Sequence, residues 1–362
     1  MSQAKVIMPS IDRGVFETAL KNARNISEDY YNDEKLREEW SDRPGEFNAF
    51  LEQVRDLMQA NGTIKQIAGV DPLIQKKVEA DHLAGKIGAV DGTDAIAQTE
   101  LTSRMVYAVA VISATSQTLH RPTISETASH HTIPPINGIG NNLLAFIEKA
   151  DQYSQDSSWT RTFREHCERE EALRILDHED CNLALVDGPL YTQNLLTQPV
   201  ARAGILKAML DRPQALIGFI KEIRSAKLIH FAGMALRRGE YWVITEWRQL
   251  LAHRFKKEKE NQSGIQKWLL KHTAPKHQWV RCVYRKNDKA FAFECHPNLV
   301  NTGIAIINSP ISCSDAINHE LPFLLESIDR IVIAQTSAQA KSKNLISDSP
   351  NYPNLASERE FR

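Results

Sequence analysis

The sequence predicts an α/β domain in which helices flank a mixed sheet, with a helical region before it. From Ile87 onwards, short apolar runs rich in Val, Ile and aromatic residues alternate with segments of helical periodicity. The chain has 362 residues, of which 42% are hydrophobic and 25% are charged. This length and composition are typical of a globular protein with a large core. The predicted regions are residues 1–80, 81–335 and 336–362.

Residues 1–80 are predicted to be helical and acidic. The segments FETALKNARNI, EFNAFLEQVRDLMQA and PLIQKKVEADHLAGKI place apolar residues at i, i+3, i+4 and i+7. One such stripe consists of Phe47, Phe50, Leu51, Val54, Leu57 and Met58. These helices either pack on the α/β domain or form a dimer, and the sequence favours neither alternative. Residues 336–362 are predicted to be a disordered tail.

The elements of residues 81–335 follow from changes of periodicity and from Pro and Gly punctuation. Helices are expected from about Asn141, from about Ser158 to His178, from Ala201 to Asp211, after ALIGFIK, and from about Leu321. Strands are expected at IGAVDGT, MVYAVAVISATS, CNLALVDGPL, ALIGFIK, YWVITEW, HQWVRCVYRK, KAFAFECHP and RIVIAQ. Loops are expected at IPPINGIG and around His130 and His131.

The cysteines and the start of the chain predict a cytoplasmic protein. The five cysteines lie far apart and form no CxxC pair, which argues against a disulfide framework and against a zinc ribbon. The segment MSQAKVIMPSIDRG has no apolar core of a signal peptide, and no window approaches 18 uninterrupted apolar residues. The sequence therefore predicts a protein that is neither secreted nor membrane-spanning.

The charges are unevenly distributed although the net charge of the chain is −1. From Lys221 to Lys289 there are 17 Lys and Arg residues and 6 Asp and Glu residues. This stretch is either a solvated basic face or a surface that attracts a polyanion. Charge alone does not decide between the two.

Two apolar runs, IGAVDGT and LALVDGPLY, each end in an Asp followed by Gly. The pattern indicates a buried strand that places Asp91 or Asp187 at the carboxyl edge of the sheet, where ligands bind in open α/β sheets. For Asp91 alone a hairpin turn is an equal alternative, because Asp-Gly favours such turns. Two convergent carboxylates would bind Mg²⁺ or Mn²⁺.

A third carboxylate is expected from the helix that precedes LALVDGPL. Glu170 falls on the same face as Phe163 and Leu173 and is the first choice, followed by Glu171 and Glu168. The alternative is that this acidic cluster is only an exposed helix face. The sequence does not choose the residue securely.

The succession strand-Asp, helix-Glu, strand-Asp resembles the ribonuclease-H-like nucleases, and the motifs resemble the NurA family, the partners of the HerA hexameric translocase. Four landmarks stand in the family's order: VDGT around Asp91, LALVDGPL around Asp187, IGFIKEIRSAKL around Lys221 and PFLLESIDRIVI around Asp329. The resemblance covers roughly residues 85–335. Where the family has a late histidine, this chain has Asp329, and an aspartate can also bind a divalent cation.

The resemblance implies a ribonuclease-H-like fold and a site with Mn²⁺ or Mg²⁺, as two ions. The implied metal ligands are Asp91, Glu170, Asp187 and Asp329. Lys221 would place a cation beside the scissile phosphate and act with the first three carboxylates in catalysis. Without the resemblance, Lys221 would be interpreted as an exposed lysine at a strand end.

The basic stretch would then contact the DNA backbone. The candidate phosphate-binding residues are Arg224, Lys227, Arg237 and Arg238. Tryptophans lie in the same stretch, and Trp242 and Trp279 either stack on unpaired bases or belong to the core. No GxxxxGK[ST] motif is present, so ATP-driven movement would require a partner.

The function implied by the resemblance is a metal-dependent DNA nuclease. Its activity would be exonucleolytic on single- and double-stranded DNA with some endonuclease action, in DNA repair or in defence against phage. Its implied partners are a HerA-like ATPase and a second copy of the chain. Two alternatives remain: a nuclease-like subunit that scaffolds the ATPase or binds DNA without cutting, and a ribonuclease-H-like enzyme that cuts RNA.

Overall fold

A computed structural model describes residues 44–99, 104–132, 157–178, 180–192, 199–212, 214–220, 227–244, 278–287, 289–313 and 321–342. Their α-helices are α1 Pro44–Ala60, α2 Pro72–Leu83, α3 Ser157–His178, α4 Pro199–Asp211, α5 Lys227–Ala235, α6 Val300–Asn308 and α7 Phe323–Ser342. Their strands are β1 Gly62–Gln66, β2 Ile87–Thr99, β3 Arg104–Thr115, β4 Thr123–Thr132, β5 Leu183–Asp187, β6 Leu216–Ile220, β7 Glu240–Ile244, β8 Val280–Arg285 and β9 Phe291–Cys295.

The nine strands form one mixed sheet in the order β1-β7-β8-β9-β6-β5-β2-β3-β4. Its centre is parallel, because β5 pairs in parallel with both β2 and β6. All the other neighbours are antiparallel. The α/β class and the mixed sheet flanked by helices are therefore confirmed.

Two hydrophobic clusters cover the two faces of the sheet. Successive strand residues point to opposite faces, so Val90 and Val186 join one cluster while Ala89 and Leu185 join the other. The helices α1, α3, α4 and α5 contribute to the first cluster, and α2, α6 and α7 contribute to the second. Trp242 and Trp279 are both buried, so they belong to the core and do not offer exposed faces to bases.

The described part of the N-terminal region packs on the rest of the protein. Strand β1 is the edge strand of the sheet and pairs with β7, and α1 packs on α5. From the predicted apolar stripe of α1, Val54 and Met58 are buried, whereas Leu57 is 52% exposed. The region is not wholly helical, since it contains β1. The five residues of β1 are too few and too polar to be recognised as a strand in the sequence. Dimerisation and the domain boundaries stay predictions.

Two predicted elements are wrong. RIVIAQ is not a strand but part of α7, whose buried residues Leu324, Ile328 and Val332 recur every four positions. This helix continues to Ser342, past the predicted start of the tail at residue 336. The segment with His130 and His131 is not a loop but strand β4. Its Ser, Thr and His residues have no apolar alternation, which is why the sequence did not predict this edge strand.

The predicted helix near Asn141 and the loop IPPINGIG lie outside the described residues. The first segment, FETALKNARNI, also lies outside them. The described helices include none that is both long enough and apolar enough to cross a membrane.

Candidate metal centre

The carboxyl end of the parallel β2–β5 pair positions two aspartates. The parallel register runs from Ile87 opposite Leu183 to Val90 opposite Val186. Asp91 and Asp187 are the next residues on their strands, so both side chains leave the sheet on the same face. Asp91 and Asp187 therefore lie side by side where the parallel pairing of β2 with β5 ends.

Asp329 joins them from α7, which packs against β2, β3 and β5 on that face. One carboxylate oxygen from each of Asp91, Asp187 and Asp329 lies within 4.8 Å of the other two. Asp91 is fully buried, and the other two residues are half-buried. The aspartate that stands where the resemblance places a histidine therefore lies beside the two strand aspartates.

This set of donors fits a hard divalent cation. Carboxylate oxygens are the ligands that Mg²⁺ and Mn²⁺ prefer in proteins. Three carboxylates this close repel one another when all are ionised, and a bound cation removes that repulsion. The backbone amide of Gly92 donates a hydrogen bond to Asp91 Oδ1 at 2.8 Å, which orients this carboxylate. The residues present can therefore hold a divalent cation.

A fourth carboxylate, Glu168 of α3, approaches from the other face of the sheet. Glu168 is only 3% exposed and forms ion pairs with Arg169, at 2.5 Å, and with Arg164, at 3.4 Å. The pKa of Glu168 is raised to about 7, chiefly by burial. The two arginines act in the opposite direction, whereas the charges of Asp187 and Glu165 raise the pKa further. Glu168 thus interacts electrostatically with the aspartate cluster.

The order in which the three helical glutamates were ranked is wrong. Glu170 does not face the core, since its side chain is 59% exposed and lies 3.4 Å from His166. Glu171 is buried, but it accepts hydrogen bonds from Ser113 and Arg174. Burial alone would raise the pKa of Glu171, and these hydrogen bonds outweigh burial and lower it.

The helical phase of α3 contains the signal for Glu168. Glu168 stands four and seven residues before Ala172 and Ile175, and both are buried in the core. The prediction of Glu170 from the sequence depends on Phe163 and Leu173, which lie at the border of the buried face. Glu168 is therefore the helical glutamate that the structure brings to the site, whereas Glu170 points away from it.

The glycines of the two Asp-Gly pairs are needed for different structural reasons. Gly188 follows the last residue of β5 and has φ +90°, so here glycine permits the turn. Gly92 lies inside β2, which continues to Thr99 as a hairpin with β3, so Asp91 is not the last residue of its strand. A Cβ on Gly92 would lie 2.8 Å from Glu168 Oε1. The missing side chain at residue 92 makes room for Glu168.

We expect Gly92→Ala to displace Glu168 while leaving all four carboxylates in the chain. Disturbing the surroundings of metal ligands typically lowers metal affinity about 10- to 100-fold. Titration calorimetry with Mn²⁺ measures this change directly. Gly204→Ala is the matched control, because a Cβ at residue 204 would meet no atom within 4 Å. Equal Mn²⁺ affinity of Gly92→Ala and the wild type would contradict the placement of Glu168 beside the cation site.

Contacts with α3 and with Trp279 hold the segment after Asp187. Arg169, which is 1% exposed, donates to the carbonyl oxygen of Pro189, and Thr192 donates to Glu165, both at 2.5 Å. Tyr191 stacks on Trp279 with ring centroids 4.1 Å apart. These contacts fix the chain immediately after β5 and therefore the position of Asp187. The sequence did not predict the role of Arg169.

The remaining predicted site residues are less fully described. Lys221 and Arg224 lie outside the described residues. Lys227 is the first residue of α5, and its side chain is not described. Arg237 and Arg238 are exposed in the turn before β7. The roles of these five residues stay predictions.

The comparisons with known proteins give a weak likeness of fold. No protein-family model matches the chain, and no curated protein matches it. The NurA nuclease from Sulfolobus solfataricus aligns with a TM-score of 0.44 and 13% identity over 95% of this chain and 100% of that chain. A NurA structure bound to dAMP and manganese gives 0.43 and 10% identity over 77% of this chain and 95% of that chain.

Endonuclease V from Bacillus subtilis gives a TM-score of 0.33 and 13% identity over 74% of this chain and 92% of that chain. Likeness at this level does not assign a function. The functional conclusion therefore depends on the residues of the site.

Proposed function

We propose that this protein is a divalent-metal-dependent nuclease that hydrolyses DNA phosphodiester bonds. The observation that carries the proposal is the cluster of Asp91, Asp187 and Asp329, with carboxylate oxygens within 4.8 Å of one another. Three carboxylates from two strands and a helix, with buried Glu168 close by, form an oxygen-donor site at the carboxyl edge of the sheet. Ligands bind at this edge in α/β folds.

Each residue of the site has a different role in the proposed reaction. Asp91, Asp187 and Asp329 hold Mn²⁺ or Mg²⁺, which when bound supplies charge stabilisation and an activated water for phosphodiester hydrolysis. Glu168, which Arg169 and Arg164 hold beside Gly92, would complete the carboxylate set around the cation. Arg169 holds Glu168 and the carbonyl oxygen of Pro189, so it fixes α3 relative to the segment after Asp187.

The finer part of the proposal follows the sequence resemblance. Under it the protein is a ribonuclease-H-like nuclease of the NurA kind, dimeric, with exonuclease and some endonuclease activity and a HerA-like ATPase as its partner. The four landmarks of the resemblance support this part, because three of their aspartates, Asp91, Asp187 and Asp329, converge in space. Two metal ions, Lys221 as a catalytic cation, and a role in DNA repair or phage defence belong to this part too.

The test compares two glutamates that are two residues apart on one helix. Purified full-length protein is incubated with end-labelled linear DNA and Mn²⁺, and the same reaction is run with EDTA. We expect Glu168→Gln to lower the rate by about 10- to 100-fold, the usual effect of changing a group beside metal ligands. Glu170→Gln should stay within about twofold of the wild type, because Glu170 is exposed and points to His166.

Three outcomes would contradict the proposal in different ways. Wild-type protein that leaves DNA intact with Mn²⁺ and with the ATPase would favour a non-catalytic scaffold subunit. Faster cleavage of RNA than of DNA of the same sequence would indicate that RNA is the substrate. Equal loss in Glu168→Gln and Glu170→Gln would place the helical ligand elsewhere.

A further inference from the structure

Two turns at the edge of the sheet that carries the aspartates are rich in cations. Strands β7 and β9 begin at this edge and β8 ends there, because they alternate in direction with β6. The turns are residues 236–239, before β7, and residues 285–290, from the last residue of β8 to the start of β9; residue 288 lies outside the described residues. Together they carry five Lys and Arg residues and one Asp. Arg237 and Arg238 are candidates for DNA binding from the sequence, whereas the residues of the second turn are not.

The two turns form one fixed surface. The Gly239 amide donates to the carbonyl oxygen of Arg285 at 2.7 Å, and Arg238 donates to Asn287 Oδ1 at 2.9 Å. Arg285 donates to the carbonyl oxygen of Leu236 at 3.0 Å, so its guanidinium group holds the end of α5. The exposed cations left on this surface are Arg237, Arg238 and Lys289, which we call the basic rim.

The charge of the basic rim is not cancelled locally by the described carboxylates. Glu240 is 4% exposed, and both of its carboxylate oxygens accept hydrogen bonds from Arg55. Glu52 lies 3.9 Å from Arg237, a distance at which exposed charges attract each other only weakly. Within the part of the chain that the structure describes, the rim therefore presents positive charge at the same edge of the sheet as the three aspartates.

The strand order sets the distance between the rim and the aspartates. Going from β5 through β6, β9 and β8 to β7 crosses four strand spacings, which is about 19 Å. A stacked DNA strand advances about 3.4 Å per nucleotide, so this distance is about five to six nucleotides. The turn with Lys289 lies between, about three to four nucleotides from Asp187 by the same arithmetic.

We propose that the basic rim binds the phosphates of the DNA strand about three to six nucleotides from the bond that is cut. The inference rests on the proposed function, because it takes the aspartate cluster as the place of cutting. It adds the path of the substrate along the sheet edge and a new contact residue, Lys289. Neither requires a base-specific contact, so the contribution is independent of sequence.

The test uses Asp91→Asn protein, so that DNA is bound without being cut, and measures fluorescence anisotropy of labelled oligo(dT) over 50–200 mM salt. Each lost phosphate contact to single-stranded DNA lowers the slope of log K against log salt by about 0.7. We expect Arg237→Ala/Lys289→Ala to lower the slope by about 1.4 and to weaken binding of a 20-mer on the order of tenfold at 0.1 M salt. A 4-mer anchored at the aspartates reaches at most the turn with Lys289, so for it the slope should fall by no more than about 0.7.

The matched control is Lys76→Ala/Arg121→Ala, which removes one exposed Lys and one exposed Arg away from this edge. It should leave affinity and slope unchanged. If the wild type cuts DNA but the rim variant binds like its parent, the inference is wrong and the proposed function stands. If the wild type neither binds nor cuts DNA, both fail. An equal loss for the 4-mer and the 20-mer would place these residues at the cutting site and overturn the proposed path.

Discussion

Asp91→Asn is expected to abolish metal-dependent cleavage of DNA while the protein stays folded. The change removes one ligand charge from the buried centre of the aspartate cluster, and the asparagine oxygen can still accept the hydrogen bond from Gly92. A bound cation contributes several kcal/mol to hydrolysis, so the rate should fall by about a thousandfold or more. End-labelled linear DNA with Mn²⁺ provides the assay.

Thermal unfolding separates this loss from damage to the fold. Mn²⁺ at about 100 times its dissociation constant should stabilise the wild type by about 2.7 kcal/mol, and this gain should vanish in Asp91→Asn. In EDTA the variant should unfold close to the temperature of the wild type, because the asparagine oxygen can still accept the hydrogen bond from Gly92. Asp211→Asn is the control, since Asp211 is an exposed residue at the end of α4. A variant that keeps its Mn²⁺ stabilisation would contradict the cation site.

Arg55→Met is expected to destabilise the protein by about 3 kcal/mol, because it leaves a buried carboxylate without its cation. Both guanidinium NH groups of Arg55 donate to Glu240 at 2.7 Å, and this ion pair ties α1 to β7. Urea denaturation followed by circular dichroism measures the loss. Arg55→Met/Glu240→Leu should recover much of it, because an apolar pair often replaces a buried ion pair without loss.

The same pair gives a pH dependence with a definite sign. The hydrogen bond from Arg55 is the main reason that the pKa of Glu240 is lowered from 4.5. A lowered pKa in the folded state contributes stability that is present above the unfolded value and is lost as the pH falls through the folded value. The difference between wild type and Arg55→Met should therefore be full above pH 4.5 and shrink below it.

Lys77→Ala is the control for the ion-pair prediction. Lys77 forms an exposed pair with Asp81 at 3.0 Å on α2, and such pairs contribute about 0.5 kcal/mol or less. If Arg55→Met cost no more than Lys77→Ala, the Arg55–Glu240 pair would not hold α1 on the sheet.

The sequence predicted the parts of the fold that depend on local patterns. The buried central strands and the helix α3 were found because their apolar residues repeat with the period of each element. The neighbouring positions of Asp91 and Asp187 were expected from the same patterns, although only β5 ends at its aspartate and β2 continues past Asp91 to Thr99. These features required no knowledge of distant contacts.

The features that the sequence did not predict depend on what packs against a segment. RIVIAQ has the composition of a strand, but its apolar residues continue the buried stripe of α7. The Asp-Gly pair at Asp91 allows a hairpin turn in the sequence, whereas in the structure the missing side chain of Gly92 leaves space for Glu168. To choose Glu168 over Glu170, one must know which face of α3 points to the core to within less than one turn. The sparse apolar residues of this acidic helix do not define that face.

The origin of Asp329 on α7 has a consequence for how the protein is made. Asp91 and Asp187 leave the ribosome well before Asp329, and at typical rates of synthesis the last of the three follows Asp187 by on the order of ten seconds. During that interval the nascent chain lacks the third carboxylate. Under the proposed function, the cation site is therefore incomplete until α7 has been synthesised.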